Sequence, residues 1–222
     1  MGYTLNFTLV WRHFDKLANG LLLSLELALL SIAIGAAIGL ALAVVHSGAG
    51  RAVRAAIGTY VEVIRNVPLL LLVYLVYYGL PQAVNVSYDS HTSFVITLSL
   101  YSAAYLVEVF RSGLAAVPQG LVDAGKSIGL TSGQVLGYVR LPAMLRITLP
   151  ALSNTFVSLF KDTSVASVIA VPELAYGAQW INTNSFRIVE TYLVVTGIYL
   201  VAGYAILTAL RAIERRVSVV QR

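Results

Sequence analysis

Apolar residues along this chain do not alternate with polar ones; they run together. Uncharged stretches cover 27–50, 66–88, 90–107 and 191–210, each at or above the roughly 18 residues that a helix needs to cross hydrocarbon. A fifth stretch, about 147–172, is apolar on both sides of Lys161 and Asp162, and neither half is long enough to cross alone. The first stretch extends back to Leu17 with only Glu26 inside it. That is too long for a signal-peptide core, and no small-residue cleavage site follows, so it predicts a retained helix. The pattern predicts an all-α membrane protein of one domain, 1–222, with transmembrane helices at about 18–46, 58–81, 92–113, 147–172 and 189–211. Between the third and fourth lies a segment, about 114–146, longer than a plain connection needs.

Composition agrees with the pattern and removes alternatives. Hydrophobic residues make up 58% of the 222 and charged residues only 11%, with a mean hydropathy of +0.81, whereas a soluble domain carries about a quarter charged residues. There is no cysteine, and His13, His46 and His91 are scattered without metal-ligand spacing, so neither disulfides nor a metal site is expected. The net charge of +5 reports orientation here and not nucleic acid, because Lys and Arg near span ends fix topology. Eleven basic residues (Arg51, Arg54, Arg65, Arg111, Lys126, Arg140, Arg146, Arg211, Arg215, Arg216 and Arg222) fall on one side of the five spans, against Arg12, Lys16 and Arg187 on the other. That places the C-terminus in the cytoplasm and the N-terminus outside. Within the first span, Ser31, Gly35 and Gly39 form a small-xxx-small stripe, either a helix-packing face or glycine of the routine kind found in membranes.

In the long segment, Pro118 ends the preceding helix, and Leu121, Ala124, Ile128 and Leu130 form one face of a short helix with Asp123 and Lys126 elsewhere on it. Thr131 restarts the chain toward Val135, Leu136 and Val139, which predicts a second short helix before Leu141-Pro142, both outside the bilayer. Residues 120–127 also match the nucleotide-binding pattern GxxxxGK[ST]. A phosphate loop, however, needs a strand feeding its glycine-rich turn. Here a membrane helix precedes it, and Asp123 would face the phosphates, so the match is read as a decoy and no enzymatic site is expected.

The same residues carry a resemblance. Asp123-Ala124-Gly125, three residues, Gly129, nine residues, then Val139-Arg140-Leu141-Pro142 keeps the full spacing of the EAA loop of ABC importer permeases, with three letters changed. Arg65-Asn66-Val67-Pro68-Leu69-Leu70, Tyr77-Tyr78-Gly79-Leu80-Pro81, Tyr101-Ser102-Ala103-Ala104-Tyr105, Glu108-Val109-Phe110-Arg111-Ser112-Gly113 and Ser158-Leu159-Phe160-Lys161-Asp162-Thr163-Ser164 resemble, in order, further signatures of the polar amino-acid (histidine, glutamate, glutamine and arginine) type. The resemblance spans about 20–210.

It implies the type I importer permease fold in a bacterial inner membrane, with the pathway formed by two permease subunits, alike or different. It also implies a cytoplasmic ATPase pair, an external solute-binding protein and a polar amino-acid substrate. ATP and magnesium would sit on the ATPase, leaving this chain without a cofactor. Asp123, Ala124, Gly125, Lys126, Gly129 and Leu130 would form the ATPase-coupling helix; the plainer alternative is a solvated loop. Other readings are a permease for a different small solute, a stand-alone channel or secondary transporter, and a membrane scaffold that moves nothing.

Lys161 and Asp162 bear most on substrate. At about 1.5 Å per residue Lys161 falls near the bilayer midplane, where ionisable groups cost several kcal/mol unless paired or hydrated. With Thr163 and Ser164 they make a candidate site for the carboxylate and ammonium of a zwitterion. Successive helical side chains diverge by about 100°, so both reach one ligand only if the helix unwinds or ends there. The alternative is a structural ion pair with Glu26, Glu108 or another subunit. Glu62 with Arg65, and Glu108 with Arg111, stand at the i, i+3 spacing of surface pairs.

Overall fold

The computed structural model describes residues 4–218; Arg222 of the basic tail lies outside them. All regular structure among the described residues is helical. A short helix α1 (Thr8–Arg12) leads into α2 (Phe14–Gly48), followed by α3 (Arg51–Asn66) and α4 (Leu69–Tyr74). A π-helical turn (Leu75–Gly79) joins α4 to α5 (Leu80–Val84). Next come α6 (Ser90–Ala115), α7 (Gln119–Ser127) and α8 (Ser132–Val135), which passes through a second π-turn (Leu136–Arg140) into α9 (Leu141–Asp162). A 3-10 stretch (Thr163–Ile169), α10 (Leu174–Ser185) and α11 (Ile188–Ser218) complete the chain.

Four helical stretches are long and apolar enough to cross a bilayer, and α3 with α4–α5 makes a fifth if that pair, bent by 105°, counts as one span. The stretch expected at 58–81 is therefore not one straight helix. Pro68 forces the residue before it out of the helical region, and Val67 is extended, with φ −94° and ψ 131°. Before the bend, α3 is amphipathic: it buries Ile57 and Val61 against Val107 and exposes Arg51, Arg54 and Glu62.

The second short helix expected before Leu141-Pro142 is also not separate. It runs without a break from Ser132 to Asp162. A proline inside an α-helix clashes with the carbonyl four residues back, which for Pro142 belongs to Tyr138. The π-turn at 136–140 widens the backbone there and lets the helix continue. Leu80-Pro81 follows the other π-turn in the same way.

The core is the crossing of α2, α6 and α9. Ser31, Gly35 and Gly39 are buried on α2 and face α6: a Cβ on Gly35 would lie 2.9 Å from the Ser99 carbonyl oxygen, and one on Gly39 3.0 Å from Leu106 Cβ. Ser102 Oγ donates to the Ser31 carbonyl at 3.1 Å. The stripe is a packing face, and its small residues are what bring the backbones together. Gly113 does the same between α6 and α9, where a Cβ would collide with Thr148 Cγ2 and lie 2.9 Å from Met144 Cγ.

Gly35→Ala should therefore cost about 1–3 kcal/mol through overpacking. Gly197→Ala on α11, where an added Cβ meets nothing within 4 Å, should cost none. Thermal unfolding of the two variants in detergent checks the difference, and equal melting temperatures would contradict the packing assignment.

Candidate functional site

The α-helix ends at Asp162 and tightens to 3-10 over the next seven residues. Here the carboxylate opens onto a cavity of about 360 Å³ lined by Tyr101 and Tyr105 of α6 and by Asn154, Thr155, Ser158 and Leu159 of α9. Two helical faces converge. Residues 101 and 105 share one side of α6, residues 154, 158 and 162 one side of α9, each at four-residue spacing. The two phenol oxygens lie 3.1 Å apart. The site thus joins one carboxylate, two electron-rich ring faces and neutral hydrogen-bonding groups, a set suited to a cationic or amide-bearing group.

Of the four residues expected here, only Asp162 lines the cavity. Lys161 is exposed and takes no part in the lining, as the divergence of adjacent helical residues requires. Thr163 is buried and donates to the Phe160 carbonyl at 2.7 Å, while the Ser164 carbonyl accepts from Ser167 Oγ at 2.7 Å. The Thr163 hydroxyl and the Ser164 carbonyl are thus both engaged at the change of helix type. The structural pairing partners considered for Lys161 are engaged elsewhere: Glu26 lies 3.9 Å from His91, and Glu108 holds Arg111 at 2.7 Å through two hydrogen bonds. Glu62 and Arg65 do not form the expected pair; the Arg65 guanidinium lies over the Tyr105 ring, 5.1 Å from its centre.

Beyond the 3-10 stretch, Glu173 forms a buried knot. Its carboxylate accepts from the backbone N–H groups of Ala175 (2.9 Å) and Tyr176 (2.8 Å), from Tyr199 Oη (3.1 Å) and from Ser24 Oγ (3.2 Å). One carboxylate thus caps α10 and ties it to α2 and α11. Gly20 permits the approach, since a Cβ there would lie 2.8 Å from the Glu173 carbonyl. Burial pushes the Glu173 carboxyl up to about 7, against the lowering effect of these donors. An acidic residue directly before an apolar helix, after Val171-Pro172, is the sequence signal that would have marked it.

In the segment at 114–146, α7 ends in a Schellman motif. Leu130 N–H donates to the Gly125 carbonyl at 3.2 Å and Gly129 N–H to the Lys126 carbonyl at 2.9 Å, with Gly129 at φ 86°. That left-handed conformation explains the glycine at 129. Gly125 is buried, and a Cβ there would touch Val139, Leu130 and Val135 at 3.3–3.5 Å, so α7 seats directly on α8 and the π-turn. Asp123, Ala124 and Lys126 are exposed, and the outward face also presents Leu121 and Ile128, 48% and 78% exposed. The GxxxxGKS residues lie within this one helix, and among the described residues a membrane-crossing helix and not a strand precedes them.

Residues 21–219 match the family described as binding-protein-dependent transport system inner membrane component. The chain belongs to this family. The permease is 36% identical over 220 residues to the L-cystine transport system permease protein TcyB of Bacillus subtilis, covering 98% of this chain and 94% of that one. It is 32% identical over 215 residues to the glutamine transport system permease protein GlnP of Escherichia coli, covering 96% and 98%. Its fold matches a chain in the crystal structure of an amino acid ABC transporter with histidines at a TM-score of 0.88 and 31% identity, over 96% of this chain and all of that one. The inward-facing MetNI methionine ABC transporter shares the fold at a TM-score of 0.74 and 19% identity.

The Glu173 knot predicts a pH signature. A carboxyl whose folded-state value lies near 7, above its ordinary value of 4.5, contributes stability that is present below pH 4.5 and lost as pH rises through 7. Melting in detergent from pH 5 to 8 should fall with rising pH in the native permease and much less in Glu173→Gln; parallel curves would contradict it.

Proposed function

We propose that the permease is the membrane-pathway subunit of an ATP-driven importer that carries a polar amino acid across the bacterial inner membrane, with its N-terminus outside and its C-terminus in the cytoplasm. The observation that carries this reading is the placement of two sites on one continuous helix. The continuous helix 132–162 begins where α7 seats on it through Gly125 and ends at the Asp162 cavity. A push delivered to α7 by a cytoplasmic ATPase, which holds the ATP and magnesium, is thereby delivered to the walls of the solute site. Leu121, Ala124 and Ile128 provide the apolar contact, Asp123 and Lys126 the polar anchors, and Gly129 and Leu130 the turn that fixes the angle of α7.

Asp162 binds the ammonium or another positively polarised group of the solute, Tyr101 and Tyr105 stack on it, and Asn154 and Ser158 hydrogen-bond its polar atoms. Lys161, Thr163 and Ser164 support the site from behind: the Thr163 hydroxyl and the Ser164 carbonyl hold the α-to-3-10 junction, and the Lys161 charge is left for the solute carboxylate in the assembled pathway or for the second permease subunit. The named relatives transport cystine and glutamine, amino acids that carry both charges and further polar groups, which suits this mixed lining. An external solute-binding protein delivers the solute. A non-transporting scaffold would have no need of a polar cavity beside the midplane, where each unsatisfied group is costly.

The test is ATP-dependent uptake of L-glutamine and L-cystine by proteoliposomes containing the permease, its ATPase and its binding protein. A charge-assisted contact is worth about 1.5–3 kcal/mol, so Asp162→Asn should weaken solute affinity by about ten- to a hundred-fold while ATP hydrolysis persists. Gly129→Val, which strains the left-handed turn by about 1–2 kcal/mol and tilts α7, should leave basal ATP hydrolysis and abolish its coupling to uptake. Full uptake in both variants would overturn the reading.

A further inference from the structure

A second cavity, of about 580 Å³, opens between the end of α2, helix α3 and the later turns of α6. We propose that it is a second solute subsite, an exit station for the same zwitterion between the Asp162 cavity and the side of the protein that carries α7; this rests on the transport reading above. Four observations lead to it.

The first is continuity. Tyr105 lines both cavities, and its hydroxyl contacts that of Tyr101 in the first, so the ring is the wall that a departing solute passes. From Tyr101 to Arg111 the α6 axis advances by roughly 15 Å, which places the second cavity nearer to α7. The second is charge balance. The lining carries Glu62, Arg65, Glu108 and Arg111, two of each sign, which suits a zwitterion better than a simple anion or cation. The third is the state of those charges. Glu108 and Arg111 satisfy one another through two hydrogen bonds, while Arg65 has no carboxylate within 4.0 Å among the described residues and lies over the Tyr105 ring, 5.1 Å from its centre. A guanidinium placed beside a cavity and without a carboxylate partner is a carboxylate receptor. Glu62, one turn earlier on α3, stands ready for the ammonium.

The fourth is space. Gly58 lies in the interior of α3, where glycine is unfavourable, and lines this cavity. A Cβ at that position would meet nothing within 4 Å. No packing contact calls for a glycine at 58, and its missing side chain leaves the cavity wider at that point. The geometry assigns the solute carboxylate to Arg65, its ammonium to Glu62 and its body to the volume that Gly58 leaves free.

Equilibrium binding of tritiated L-glutamine and L-cystine to the detergent-solubilised complex of the permease with its ATPase, without binding protein, tests this. Two classes of site are expected. Asp162→Asn should remove one, and Arg65→Gln and Gly58→Leu should each weaken the other at least tenfold while sparing the first. Arg65→Gln adds no bulk to α3 and keeps the test valid if Gly58→Leu impairs folding. One class of site, lost in Asp162→Asn and unchanged in Arg65→Gln, would overturn the exit station and leave the transport reading standing. No saturable binding of either probe in the unmodified complex would overturn both.

Discussion

Hydrocarbon offers no hydrogen-bond partner to a free amide, so a chain that crosses it must keep its backbone bonds within its own helices. The run from Ser132 to Asp162 obeys that constraint through Pro142, where a simple α-helix would break. The π-turn at 136–140 absorbs the proline ring and the helix goes on for a total length of roughly 46 Å. An element of that length, continuous also through Pro150, can carry displacement from one end to the other. On the transport reading this continuity connects the segment gripped by the motor to the residues that hold the solute, and both sites exist because the helix between them does not end.

The framework around that lever depends on close approach. Small residues at Gly35, Gly39 and Gly113 let α2, α6 and α9 cross with backbones nearly touching, which brings the α6 tyrosines within reach of Asp162. Several polar groups buried in this packing are answered locally, though the Ser93 and Ser99 hydroxyls of α6 are not, among the described residues. Ser102 bonds the Ser31 carbonyl, Thr148 bonds the Met144 carbonyl, and Glu173 gathers four donors from three elements. The Glu173 knot pins the far end of the segment that follows Asp162. Phe160 packs on Tyr199, ring centres 5.8 Å apart, joining the cavity wall to the helix that holds the knot.

Much of this was legible in the chain itself, because a bilayer turns composition into topology. Long uncharged runs marked the crossings, and the spacing from Asp123 through Gly129 to Pro142 led to the permease family. The strand that a phosphate loop demands was missing from the pattern around Gly120–Ser127. What escaped was local. Val67-Pro68 bends the second crossing by 105°, a proline effect that run length does not register. Leu141-Pro142 read as a stop because a π-turn leaves no hydropathy signature. Lys161 and Asp162 could share a ligand only if the helix unwound or ended there; it tightens to 3-10 after Asp162, and only Asp162 lines the cavity. The tyrosines at 101 and 105 and the polar residues at 154 and 158 could be found only by setting two four-residue periodicities side by side. Glu173 escaped because a single acidic residue at a helix start looks like an ordinary cap.

The most direct test of the central claim is a pair of distances. The chain has no cysteine, so spin labels attach cleanly at Lys126→Cys on α7 and Lys161→Cys at the other end of the lever. Pulsed electron resonance on the reconstituted complex, with and without ATP, should find the 126–161 distance unchanged while the distance from 161 to its counterpart in the second permease subunit shifts. A 126–161 distance that changes with nucleotide, or a 161 position that ignores it, would contradict the account.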